Sequence, residues 1–96
     1  ADQGTKIKGM FVEPAQGNEI AQRHSQLKKL RIVVSRANEQ DVMTLKVESS
    51  ETSDAFAREL SETLQSICKV RGQVEFVAPG SLPNDGKVIA DERSYE

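Results

Sequence analysis

Apolar and polar positions alternate along two central stretches of the chain. In Lys29–Arg36, Leu30, Ile32 and Val34 fall on one face. In Val42–Glu48, Met43, Leu45 and Val47 do the same. Strict alternation is the signature of a half-buried strand. The polar run Arg36-Ala37-Asn38-Glu39-Gln40 between them predicts a turn, so the two strands form a hairpin. From Thr52 to Arg71 the period lengthens. Phe56, Leu60, Leu64, Ile67 and Cys68 make one apolar stripe at helical spacing. Thr52 or Ser53 can cap this helix, Asp54 suits its positive end, and Gly72 reads as its terminator.

The flanks supply the remaining elements. Lys6–Val12 reads as a first strand interrupted by Gly9, and Pro14 opens a helix that runs to about His24. Gly17 weakens that helix by ~1 kcal/mol relative to alanine. Gln73–Val77 is the last strand, with Val74 and Phe76 inward. The order is β-α-β-β-α-β. This predicts an α+β domain of ferredoxin-like type, a mostly antiparallel sheet with helices on one face. That architecture serves many functions and names none.

With 96 residues the chain is one domain, large enough for one modest core. Its apolar share of 36% is low, as expected of a chain with loose ends or of a piece that leans on a larger partner. A net charge of −2 and an aromatic content of 4% argue against nucleic-acid binding and membrane attachment. The lone Cys68 cannot form an internal disulfide, and no secretory signal or apolar run approaching the ~18 residues of a membrane span is visible, which points to the cytoplasm. A start on Ala1 rather than methionine suggests a piece of a longer protein.

Candidate chemistry concentrates near the ends. Val77–Val88 carries Pro79, Gly80, Pro83 and Gly86 just ahead of Lys87. Gly80, Pro83 and Gly86 shape a loop that offers Lys87 to phosphate or carboxylate oxygens. From composition alone, an exposed lysine on a loose tail is the favoured reading of Lys87. A phosphate-loop match fails, because five residues separate Gly80 from Gly86 and no Ser or Thr follows Lys87. Lys6, Lys8 and Gly9 form a basic strand open to close approach, or an edge guarded by lysines. Lys28, Lys29 and Arg31 read as a solvated face. His24 lacks the companions a metal site needs, and Cys68 belongs to the core stripe.

Both ends together resemble a family. Asp2-Gln3-Gly4-Thr5-Lys6-Ile7-Lys8-Gly9-Met10-Phe11-Val12-Glu13-Pro14 is similar to the hinge and following strand of adenylate-forming enzymes. Pro79-Gly80-Ser81-Leu82-Pro83 with Gly86-Lys87 resembles the C-terminal lysine loop of phenylacetate-coenzyme A ligases. The resemblance spans essentially the whole chain. It implies the C-terminal lid domain of an acyl-CoA synthetase, with residues 1–5 as hinge segment and 78–96 as lysine loop and tail. The N-terminal catalytic domain is then absent, and the fragment alone is inactive.

In such enzymes a carboxylate is joined to AMP and the acyl group then passes to coenzyme A, while the small domain rotates between steps. The resemblance assigns Asp2 to the hinge, Lys87 to adenylation, and Lys6, Lys8 and Gly9 to the strand used in thioester formation. It implies ATP with Mg²⁺ and coenzyme A as substrates of the full-length enzyme, none held tightly by this piece. The implied partners are the N-terminal adenylating domain and a carboxylic acid such as phenylacetate or another aryl acid; homodimerisation stays open. Two departures stand out. Only Asn84 and Asp85 separate Pro83 from Gly86, where the family usually has three residues, and no basic residue closely follows Lys87. The alternative is a stand-alone ferredoxin-like binding or regulatory module. An RNA-binding module ranks below both, since the strands lack paired stacking aromatics.

Overall fold

A computed structural model describes residues 4–93. The elements are β1 (Thr5–Ile7), β2 (Met10–Val12), α1 (Pro14–Arg23), β3 (Leu27–Ala37), β4 (Gln40–Ser49), α2 (Asp54–Cys68), β5 (Gln73–Phe76) and β6 (Ile89–Asp91). The two alternating stretches become the longest strands, paired antiparallel with Leu30 opposite Val47, Ile32 opposite Leu45 and Val34 opposite Met43. This register places the six apolar side chains on one face, as alternation demands. The turn between them sets Asn38 and Glu39 at φ +52° and +65°. Positive φ at both central residues is what a tight hairpin turn of right-handed strands requires.

Both helices cover the apolar face. Ile20 of α1 and Phe56, Leu60, Leu64 and Cys68 of α2 join the strand residues in a single buried cluster. Phe56 stacks on Phe76 at 6.0 Å and meets the His24 ring edge-on at 5.8 Å. His24 Nε2 also lies 2.9 Å from Thr63 Oγ1, so the lone histidine is bound into the interhelical contact. Ser53 Oγ accepts the Phe56 N–H and caps α2, as expected. Burial pushes the Cys68 thiol up to about 11, which leaves it an unreactive core group.

The α+β class and the packing of helices on a mostly antiparallel sheet agree with the sequence reading. Several details differ. The stretch Lys6–Val12 is two strands, not one: Lys8 (φ +49°) and Gly9 (φ +83°) turn the chain back, so β1 pairs with β2. This hairpin forms its own two-stranded sheet. The α2 helix ends earlier than expected, with Lys69 in the left-handed conformation rather than at Gly72. Gly72 instead lies so close to the Met43 carbonyl that an added Cβ would stand 2.9 Å from its oxygen.

Beyond β5, the segment read as a tail returns as β6 and pairs parallel to β3. The main sheet therefore runs β5-β4-β3-β6. Alternation could not reveal a three-residue strand whose partner lies more than fifty residues away.

Gly17 shows why propensity alone misleads. It is buried, and a Cβ there would meet Val88 Cγ1 at 2.3 Å. Gly17→Ala gains ~1 kcal/mol of helix propensity but forces α1 away from the strand entry at Val88. Overpacking of this kind costs about 1–3 kcal/mol. The expected outcome is net destabilisation in urea unfolding; a stabilised variant would refute the packing argument.

Candidate functional site

The loop from Val77 to Val88 lies across the second face of the sheet, opposite the helices. Alternation sets Lys29, Arg31 and Val33 on that face of β3, with Glu48 of β4 directly across from Lys29. The Glu48 carboxylate accepts the Gly80 N–H through Oε1 and the Leu82 N–H through Oε2, both at 2.9 Å. These two donors hold its pKa below the usual glutamate value, against the opposing effect of desolvation. Leu82 is buried beneath the loop. Lys29 Nζ donates to the Leu82 carbonyl at 3.0 Å and to Asn84 Oδ1.

Arg31 completes the attachment. Its Nη2 donates to Asp85 Oδ1 at 2.5 Å and to the Pro83 carbonyl at 3.3 Å. Lys29 and Arg31 are therefore not a solvated face. They hold the loop through its carbonyls and through the Asn84 and Asp85 side chains, with Arg31 itself 8% exposed. The sequence signal was present but ambiguous: cations alternating with apolar residues also describe a face turned to water.

The loop ends in a tight reversal. Gly86 has φ +74°, a value that glycine adopts without strain, and Asp85 Oδ1 accepts the Lys87 N–H at 3.0 Å. That N–H first, and Arg31 second, lower the Asp85 pKa. The next residue returns to the sheet, where the Ile32 N–H donates to the Val88 carbonyl at 2.7 Å. Lys87 stands at the crest of this arc, with its side chain exposed.

The second candidate group lies elsewhere. Lys6 is exposed on β1, while Lys8 and Gly9 form the β1–β2 turn. A Cβ on Gly9 would meet no heavy atom within 4 Å, so its turn projects into open space. Lys8 borders a pocket of about 230 Å³ with Asp41, Met43, Arg71 and Gln73. The pocket adjoins the turn end of the β3–β4 hairpin, whereas the lysine loop is held further along it, from Lys29 to Ile32 and from Glu48. Asp41 and Lys46, the partner of Arg31, are about five residues or ~17 Å apart along β4. The two groups therefore do not share one site.

A third cluster was not anticipated. The Arg93 side chain is 6% exposed and ties together Asp91, Asp41 and Thr5 among the described residues. It donates to Asp91 (2.7 and 2.9 Å), Asp41 (2.8 Å) and Thr5 Oγ1 (2.9 Å). Thr5 Oγ1 in turn donates to Asp91 Oδ2 at 2.8 Å. This network ties the start of β1 to the end of β6 and to β4. Asp2, the expected hinge residue, lies outside the described residues.

Residues 9–93 match the family model for the AMP-binding enzyme C-terminal domain. The chain belongs to this family. Among solved structures, the AMP-binding C-terminal domain is similar to a domain of phenylacetate-coenzyme A ligase from Bacteroides vulgatus ATCC 8482. The two share 28% identity and a TM-score of 0.85, covering 99% of this chain and 97% of that one. It is also similar to 2-hydroxyisobutyryl-CoA ligase in complex with 2-HIB-AMP and CoA in the thioesterification state (29% identity, TM-score 0.81, 97% of this chain covered). The same ligase in the postadenylation state with R3-HIB-AMP matches at 26% identity and TM-score 0.75 over 94% of this chain. The domain spans 22% of that ligase's chain. No curated protein matches this sequence.

The loop attachment has a testable pH dependence. Glu48 has a lowered folded pKa, so its stabilising contribution is complete above the ordinary glutamate value of about 4.3. That contribution fades as pH falls below this value towards the folded pKa. The amides of Gly80 and Leu82 should lose protection over that range, after correction for intrinsic exchange. Glu48→Ala, which removes both acceptor oxygens, should expose them at neutral pH as well. Unchanged protection in this variant would show that Glu48 does not hold the loop.

Proposed function

We propose that this chain is the mobile C-terminal domain of an ATP-dependent aryl- or acyl-CoA ligase, of phenylacetate-CoA ligase-like type. The observation that carries the reading is the separation just described: an exposed lysine on a pinned loop beside the middle of β3, and an open Lys8-Gly9 turn near the β3–β4 turn. A domain that serves two half-reactions in turn needs two such presentations on one rigid body. The relation to a longer ligase chain favours this reading over a stand-alone module.

In the first half-reaction Lys87 is the catalytic residue. A carboxylate approaches the α-phosphate of ATP, negative against negative, and pyrophosphate leaves. An ammonium beside the nonbridging oxygens offsets the charge that accumulates there. Lysine suits this role because it is compact and its long stem crosses a gap between domains. In the second half-reaction the domain rotates and offers the β1–β2 turn. The bare Gly9 backbone lets the pantetheine arm of coenzyme A approach closely, while Lys6 and Lys8 supply positive charge. ATP with Mg²⁺, coenzyme A and a carboxylic acid, phenylacetate or another aryl acid, are substrates of the whole enzyme.

The test uses the full-length protein. Pyrophosphate release is measured with ATP and a panel of aryl and alkyl acids, followed by thioester formation with coenzyme A. Acid-dependent release, then coenzyme A-dependent thioester, is expected; no release with any acid would sink the proposal. At the hinge, Asp2→Pro should block interconversion and spare whichever half-reaction matches the trapped orientation. Normal overall turnover in that variant would remove Asp2 from the role.

A further inference from the structure

We propose that Arg31 and Asp85 are positioning residues that set where Lys87 is delivered for adenylation. The inference rests on the assignment of Lys87 given above. Lys87 is staked on both flanks by consecutive residues of β3. On one side, Asp85 Oδ1 accepts from Arg31 Nη2 and from the Lys87 N–H, so one oxygen joins the strand to the lysine backbone. On the other side, the Ile32 N–H holds the Val88 carbonyl at 2.7 Å. The left-handed Gly86 lets the chain reverse between these points. The lysine stem thus leaves from a short arc whose two feet rest on β3, one of the two central strands of the sheet.

Three features fit a positioning role. Arg31 is buried on the sheet face, so its guanidinium is a fixed reference rather than a mobile surface charge. Its Nε is a buried donor without an acceptor among the described residues, so the fork is turned towards the loop at some cost in hydrogen bonding. The upstream part of the loop has its own attachment at Glu48 and Lys29, so Arg31 and Asp85 are not needed to keep Gly80–Leu82 on the sheet. Their distinct effect falls on residues 85–87. A freed arc would let the ammonium sample many positions, and small displacements of a catalytic group are costly in rate.

The experiment compares Arg31→Met, Asp85→Ala and Asp85→Asn with Lys87→Ala in the full-length enzyme. Acid-dependent pyrophosphate exchange reads adenylation, and transfer from supplied acyl-adenylate to coenzyme A reads the second step. Arg31→Met and Asp85→Ala should slow exchange roughly 10- to 100-fold, in kcat rather than KM, with transfer nearly unchanged. Asp85→Asn keeps an acceptor for the Lys87 N–H and should recover part of the loss. If Arg31→Met does not fold, the two variants at the more exposed Asp85 carry the test. Equal losses in both steps would show a merely structural role and overturn the proposal. Normal exchange in the Asp85 variants, beside a collapsed Lys87→Ala, would overturn the positioning claim and leave the role of Lys87 standing. A Lys87→Ala enzyme with normal exchange would remove the assignment on which both rest.

Discussion

Lys87→Ala in the full-length enzyme is expected to slow acyl-adenylate formation by about a thousandfold while sparing thioester formation from supplied acyl-adenylate. The magnitude follows from charge. At ~4 Å and an effective dielectric near 20, one ammonium–oxyanion contact is worth roughly 4 kcal/mol. That figure corresponds to about three orders of magnitude in rate. The selectivity follows from geometry. Lys87 stands beside Arg31 and Ile32 in mid-strand while the Lys8-Gly9 turn borders the turn end of the β3–β4 hairpin, so a cleft that receives one does not receive the other in the same orientation. Rapid-quench measurement of each half-reaction checks both parts. Comparable losses in the two steps would mean that Lys87 acts on the whole domain rather than on one reaction. Lys87→Arg should rescue poorly, because a planar fork on a different stem places its charge elsewhere.

The second large effect is on stability. Arg93→Ala should destabilise the domain by about 2 kcal/mol, the order of a lost hydrogen-bonded charge partner, because the Arg93 side chain is enclosed while Asp91 keeps contact with solvent. The side chain is almost fully enclosed, and its loss strands Asp41 and Asp91, two carboxylates in one neighbourhood. Some compensation remains: Arg36 still reaches Asp41 at 3.3 Å, and Thr5 still donates to Asp91. Urea unfolding with an unchanged slope measures the difference; a loss within error of zero would show that the network is ornamental to stability.

The same network predicts an acid limb. The Asp91 carboxyl is held well below the usual carboxylate range, first by the Arg93 side chain and then by the Thr5 hydroxyl and the Arg93 N–H, against desolvation. A depressed folded pKa means that the contribution is whole above the unfolded value of about 3.9. It is lost as pH falls below that value. Arg93→Ala should therefore flatten the acid side of the stability profile as well as lower the plateau. Because Thr5 opens β1, loss of this tie would also loosen the chain where the N-terminal segment enters the domain body.

The hydrophobic period along the chain determined the two long strands, their pairing, the second helix and the part of the core these carry, while Pro14 marked the first helix. Each of these buries one face against whatever lies opposite, and a face can be read locally. It also singled out Lys87, because a loop of glycine and proline carries no core residue except Leu82. Tertiary structure decided the rest. Lys8-Gly9 became a turn because β1 and β2 find each other rather than the main sheet. Gly17 changed from a weak helix residue to a required one because Val88 returns against it. Lys29 and Arg31 became anchors because Asn84 and Asp85, more than fifty residues later, fold back over their strand. A polar side chain on an exposed-looking face carries no mark of its partner. Only the path of the returning chain chooses between water and an ion pair.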